Sequence, residues 1–154
     1  MRRWRAFMGL SGLERRWLVQ ALFLLPLTAW AIRWVGLRRL QSLLEGVTPS
    51  RFFPGAGLDR PTDWTRRAAR MVEIAAARGP YCATCLHRSV VLWCLLRRHG
   101  VDSELRIGIR KQAGGLDAHA WVEHAGVALN ERPPVAERYR PFRLAFPAPK
   151  PNRS

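Results

Sequence analysis

A chain of 154 residues with 48% hydrophobic residues suits one compact domain with an appendage and has enough apolar side chains for a core. Its net charge of +15 comes almost wholly from arginine, since Lys111 and Lys150 are the only lysines; such a surface attracts acidic partners, but with neither zinc-finger spacing nor an aromatic RNP motif, nucleic-acid binding is not expected. Three cysteines, Cys82, Cys85 and Cys94, are too few for a disulfide scaffold, and their odd number points to a reducing, cytoplasmic compartment.

Residues 1–48 read as a basic, apolar N-terminal helical extension. Arg2, Arg3, Arg5, Arg15 and Arg16 precede the uncharged stretch 17–32, and Arg33, Arg38 and Arg39 follow it. The stretch is shorter than the roughly 20 residues that span a bilayer, and Pro26 interrupts or kinks it. Arg33-Trp34 makes a poor signal-peptidase site. Two helices capping the domain are expected, with an interfacial membrane helix or a true span as alternatives, so contact with a membrane surface stays open. Leu37, Leu40, Leu43 and Leu44 have helical spacing and suit packing on a neighbour. Residues 49–61, with Pro49, Pro54, Gly55, Gly57 and Pro61, have the composition of a linker.

The core is expected over residues 62–140. Thr62 or Asp63 caps a helix running to about Arg78, with Trp64, Ala68, Met71, Val72 and Ala75 on one stripe and Arg66, Arg67 and Arg70 off it. Gly79-Pro80 ends it. After a short loop, Thr84 is placed to cap a second helix that begins at Cys85. Val90, Val91, Leu92, Trp93, Leu95 and Leu96 predict its burial. Arg97, Arg98 and His99 suit its last turn, and Gly100 its stop. Cys94 lies on the opposite side of that helix from Cys85 and reads as a core residue. The period then changes. Leu105, Ile107 and Ile109 alternate with charged residues and predict a strand. A glycine loop follows over 112–115. Residues 118–123 form a second strand, 124–126 a turn and 127–131 a third strand. Residues 141–154 are a tail rich in proline and arginine.

The chemistry centres on Cys85. At a helix N-terminus, free N–H groups and the dipole favour a thiolate. A cysteine nucleophile also needs a base within reach and a group to orient that base. His87 points away from Cys85 on the same helix, His99 sits at its far end, and His124 falls in the turn. His119 is the best candidate base. A three-residue loop at 124–126 would set Glu131 opposite His119, whereas a two-residue loop would set Arg132 there. Asp117, two residues before His119 on its strand, is the competing acid. Plainer readings compete too: a structural cysteine and histidine, half a zinc site at Cys82 and Cys85, or a redox pair at the same two cysteines.

The blocks running from Cys85 to Gly100, from Leu105 to Arg110 and from Ala118 to Glu123, with Gly126 and Asn130-Glu131, resemble the transglutaminase-like leader peptidases of lasso-peptide biosynthesis, the B proteins. The resemblance covers about residues 62–131. It implies an α+β, transglutaminase-like and papain-like core in which a helix carrying the cysteine packs on a small antiparallel sheet. In the family's pattern the nucleophile falls on Cys85, the base on His119 and the orienting acid on Glu131, where the family usually has Asp. No winged-helix-like stretch precedes residue 60, so the chain resembles the split form that works with a separate leader-recognition protein.

The resemblance also implies the rest of the system: a ribosomal precursor of leader plus core peptide, and an asparagine-synthetase-like macrolactam cyclase. ATP dependence is possible by family resemblance, although no cofactor or metal is implied by an evident motif and no phosphate-binding glycine loop is present. Two other functions stay in view, a transglutaminase-type acyl transferase and a non-catalytic, membrane-associated interaction protein.

Overall fold

The computed structural model describes residues 10–36, 39, 63–112, 115–131 and 138–141. The expected linker at 49–61, the helical spacing of Leu37, Leu40, Leu43 and Leu44, and the tail after Pro141 lie outside the described residues. Three helices come first, α1 (Gly12–Val35), α2 (Asp63–Arg78) and α3 (Cys85–Arg98), followed by strands β1 (Glu104–Gln112), β2 (Gly115–His124), β3 (Val127–Ala128) and β4 (Arg140–Pro141). This is the expected α+β arrangement.

A capping box opens α1: the Glu14 N–H donates to Ser11 Oγ at 3.3 Å, and the Ser11 N–H to the Glu14 carboxylate at 2.8 Å. The helix runs on through Pro26 rather than ending there. Trp17, Leu18, Ala21 and Leu25 before it are buried against α2 and α3, and Thr28 after it is buried too, so the helix is anchored mainly through the part that precedes Pro26. Pro26 itself stands on the exposed side.

The stripe expected on α2 is real: Ala68, Met71, Val72 and Ala75 are buried, joined by Thr65 and Ala69. Thr84 caps α3 through the His87 N–H. At the other end Gly100, with φ 75°, takes the left-handed position. Its N–H bonds Arg97 O and the Val101 N–H bonds Leu96 O, a paired stop that buries Val101 beside Leu96. An ion pair of 2.7 Å between Arg88 and Glu73 ties α3 to α2.

His99 joins all three helices. Its Nε2 accepts from Trp17 Nε1 at 3.3 Å, and its ring meets those of Trp17 and Trp64 edge-on. Burial, then Arg16 and Arg98, holds this imidazole below the ordinary histidine value. The unfolded chain therefore takes up the proton first, at about pH 6.5, and stability is lost as pH falls from there toward the folded value. Melting temperature is expected to drop between neutral pH and about pH 5 more in the wild type than in His99→Gln; equal slopes would show that His99 has no part in it.

The sheet is antiparallel in the order β3-β2-β1-β4. Alternation gives it two faces. Leu105, Ile107 and Val122 join the main core with the helices. Trp121 packs with Tyr139 and Ala128 on the other face, and the register puts Gly108, opposite His119, on that side.

Candidate active site

Cys85 is the first residue of α3 and is half-buried. The Thr84 hydroxyl takes the N–H of His87, while His87 Nδ1 accepts from the Thr84 N–H at 3.3 Å and meets Tyr81 Oη at 3.5 Å. The His87 ring, lowered in pKa by burial, thus completes the cap rather than facing Cys85. Cys94 is buried, and desolvation pushes its thiol up to about 12, so it stays protonated. His124 is not a turn residue as expected. It ends β2, pairs with Val127 and turns its Nδ1 to Asp102 O from a buried position.

His119 lies on β2 opposite Gly108 of β1. A Cβ on Gly108 would come within 2.8 Å of Trp121 Cη2 and of Tyr139 Cβ, so only glycine admits that aromatic pair beside the histidine. The His119 ring stacks at 5.1 Å on Tyr139 and at 6.3 Å on Trp121, centroid to centroid. Its Nε2 is buried and lies 3.0 Å from Glu131 Oε1, off the N–H axis, so the two touch without an aligned hydrogen bond, and the pair is ionic only when the ring is protonated.

Glu131 arrives there by a route the register did not predict. The hairpin loop has two residues, not three: Ala125 and Gly126, with φ 49° and 74°, form the tight primed turn, and Glu123 pairs with Ala128. A regular ladder would then turn Glu131 away. The ladder stops instead. Leu129 still donates to Val122 O at 2.9 Å, but the Val122 N–H donates at 2.8 Å to Asn130 Oδ1. The chain bends over 129–131, and the bend returns Glu131 to His119.

Ser89 anchors that bend. Its buried Oγ accepts from Asn130 Nδ2 and donates to Ala120 O, both at 2.9 Å, linking α3 to β2 and to the Glu131 segment. Sequence reasoning missed Ser89 and Tyr139; the signal for Ser89 was a lone hydroxyl inside an apolar helical run. Ser89→Ala is expected to leave Asn130 and the Ala120 carbonyl short of a partner and to cost about 2 kcal/mol in chemical denaturation. An unchanged midpoint would mean that these bonds contribute nothing.

Cys85 is one turn before Ser89, about 6 Å along α3. The other end of the pair is set by Trp93 Nε1 donating to Ser103 O and by the His124–Asp102 contact, so α3 and β2 run in the same sense. Stepping back from the Ser89–Ala120 bond therefore brings Cys85 level with Ala118, roughly 7 Å back along the strand. Cys85 is thus level with the start of β2, but the register turns the His119 side chain to the face away from α3, and no hydrogen bond joins the two among the described residues. Asp117, the competing acid, accepts from Arg110 Nε and Tyr139 Oη, both at 2.9 Å. The Tyr139 bond, then Arg110, holds its carboxyl below the usual range. Asn130 and Glu131 also line a cleft of about 660 Å³ with Arg66, Arg70 and Arg138. Among the described residues no three His, Cys, Asp or Glu side chains gather as a metal site would require.

The profile of the transglutaminase-like superfamily matches residues 21–143. The chain belongs to that superfamily. The match takes in most of α1 as well as α2, α3 and the whole sheet. Searches of curated proteins and of solved structures found no match. Membership in a transglutaminase-like superfamily fits thiol-based chemistry in general, either peptidase or acyl transfer, on this α+β scaffold.

Proposed function

We propose that the chain is a cysteine peptidase that removes the leader from a ribosomally made lasso-peptide precursor, with Cys85 as nucleophile, His119 as base and Glu131 as the acid that orients it. The observation that carries this reading is the 3.0 Å approach of Glu131 to His119, together with a cysteine at the first position of α3. Chemically, the family's usual carboxylate is supplied here by a side chain one methylene longer.

In this mechanism Glu131 holds Nε2 of His119, which leaves Nδ1 to take the Cys85 proton. The thiolate attacks the carbonyl of the last leader residue. The oxyanion faces the N–H groups of Cys85 and Leu86, since Thr84 engages the next one along, at His87. Collapse of the intermediate expels the amine of the core peptide, which takes its proton from the imidazolium. Water, deprotonated by His119, then hydrolyses the thioester and restores the thiol. A separate leader-recognition protein delivers the precursor, and an asparagine-synthetase-like macrolactam cyclase uses the freed amine; ATP acts through that assembly. The arginine-lined cleft beside Glu131 suits an acidic stretch of leader.

Mass spectrometry tests this. Precursor incubated with the full chain and the leader-recognition protein is expected to give free leader and core whose masses sum to the precursor plus one water. A leader joined to an added amine would instead make the chain an acyl transferase. No product at all from the folded protein would defeat both readings.

A further inference from the structure

α1 carries two apolar faces. Trp17, Leu18, Ala21 and Leu25 are buried against α2 and α3. On the other side Val19, Phe23, Leu27, Trp30 and Trp34 are exposed, Phe23 at 73%, Trp30 at 60% and Trp34 at 71%. At 100° per residue these five fall in a stripe about 80° wide and about 22 Å long. Exposed Arg16 continues the stripe at its N-terminal end, and exposed Arg33 borders it in the last turn. A core helix buries most of its apolar length, yet only 22% of the most apolar 18-residue window of α1 is buried. A patch of this kind marks a contact surface.

We propose that this outer face docks on an anionic bilayer surface, with α1 lying in the plane of the membrane. Crossing the bilayer would strip Trp17, Leu18, Ala21 and Leu25 from the core they share with α2 and α3. Lying flat keeps that packing and buries the outer stripe among the acyl chains. Trp30 and Trp34 suit the headgroup boundary, where an amphipathic ring meets both phases. Arg16 and Arg33 can extend their guanidinium groups to lipid phosphates while their stems stay in the apolar layer. The net charge of +15 selects anionic lipid over a neutral surface. Docking goes beyond the peptidase reading and does not depend on it.

Flotation of the full chain tests the proposal, using vesicles of phosphatidylcholine with phosphatidylglycerol and vesicles of phosphatidylcholine alone. The wild type is expected to float with the anionic vesicles, to lose most of that binding in high salt, and to show tryptophan quenching by brominated lipid. The triple variant Phe23→Ser, Trp30→Ser, Trp34→Ser is expected to stay in the soluble fraction with an unchanged circular dichroism spectrum, because all three side chains are exposed. Should that variant misfold, Arg16→Glu with Arg33→Glu replaces it and is expected to lose the preference for anionic lipid. A wild type that ignores both vesicles, or variants that bind as well as it does, would overturn the proposal. So would a dimer in light scattering that the triple variant dissolves while neither protein floats, since the face would then join two copies of the chain.

Discussion

Replacing Cys85 with alanine is expected to lower the rate of leader removal by about a thousandfold or more, because the covalent step has no other nucleophile. The fold should survive. Cys85 occupies the first position of α3, its side chain takes no part in the Thr84–His87 cap, and alanine is the best helix former. Two controls give the result its meaning. Cys82 is exposed, so Cys82→Ala should leave both rate and stability near wild type. Cys94→Ala should cost about 1 kcal/mol by opening a small cavity, with little effect on rate, because that buried thiol stays protonated. A loss with Cys82→Ala as large as with Cys85→Ala would move the nucleophile. Single-turnover cleavage, read with circular dichroism on each variant, separates chemistry from unfolding.

Glu131→Gln is expected to lower kcat about a hundredfold, and Asp117→Asn less than about tenfold. Glutamine keeps the size of the side chain and removes its charge. Since the carboxylate sits off the N–H axis of His119, charge is what it offers the imidazolium, and that is what the amide cannot supply. Asp117 is already engaged by Arg110 and Tyr139. Glu131→Asp should lie between wild type and Glu131→Gln, keeping the charge at a longer reach. The effect should fall mainly on kcat, since the role proposed for Glu131 is exerted through His119. The reverse order of the two carboxylate variants would make Asp117 the orienting acid.

Much of the framework was legible from short windows of sequence. The apolar stripe from Trp64 to Ala75, Thr84 as cap, Gly100 as stop, and the alternation in Leu105, Ile107 and Ile109 each encode their element within a few residues, because periodicity and capping are local. The same locality fixed Cys85 at a helix start and Cys94 on its buried side.

What needed the tertiary structure depends on partners far along the chain. Whether the hairpin turned in two residues or three was not readable, since Gly126 suits both; Ala125 in the left-handed region settled it and shifted the register by one. Glu131 reached His119 nonetheless, through a bend held by Ser89, 41 residues away from Asn130 in sequence. Asp117 was drawn off by Tyr139, 22 residues later and just before β4. Pro26 stayed inside one continuous helix, whose residues before it pack on α2 and α3. The sequence by itself determined which residues begin helices, alternate in strands and carry chemistry. The tertiary structure decided which of them meet, because a hydrogen bond or ion pair depends on both partners and the second one lay outside any local window.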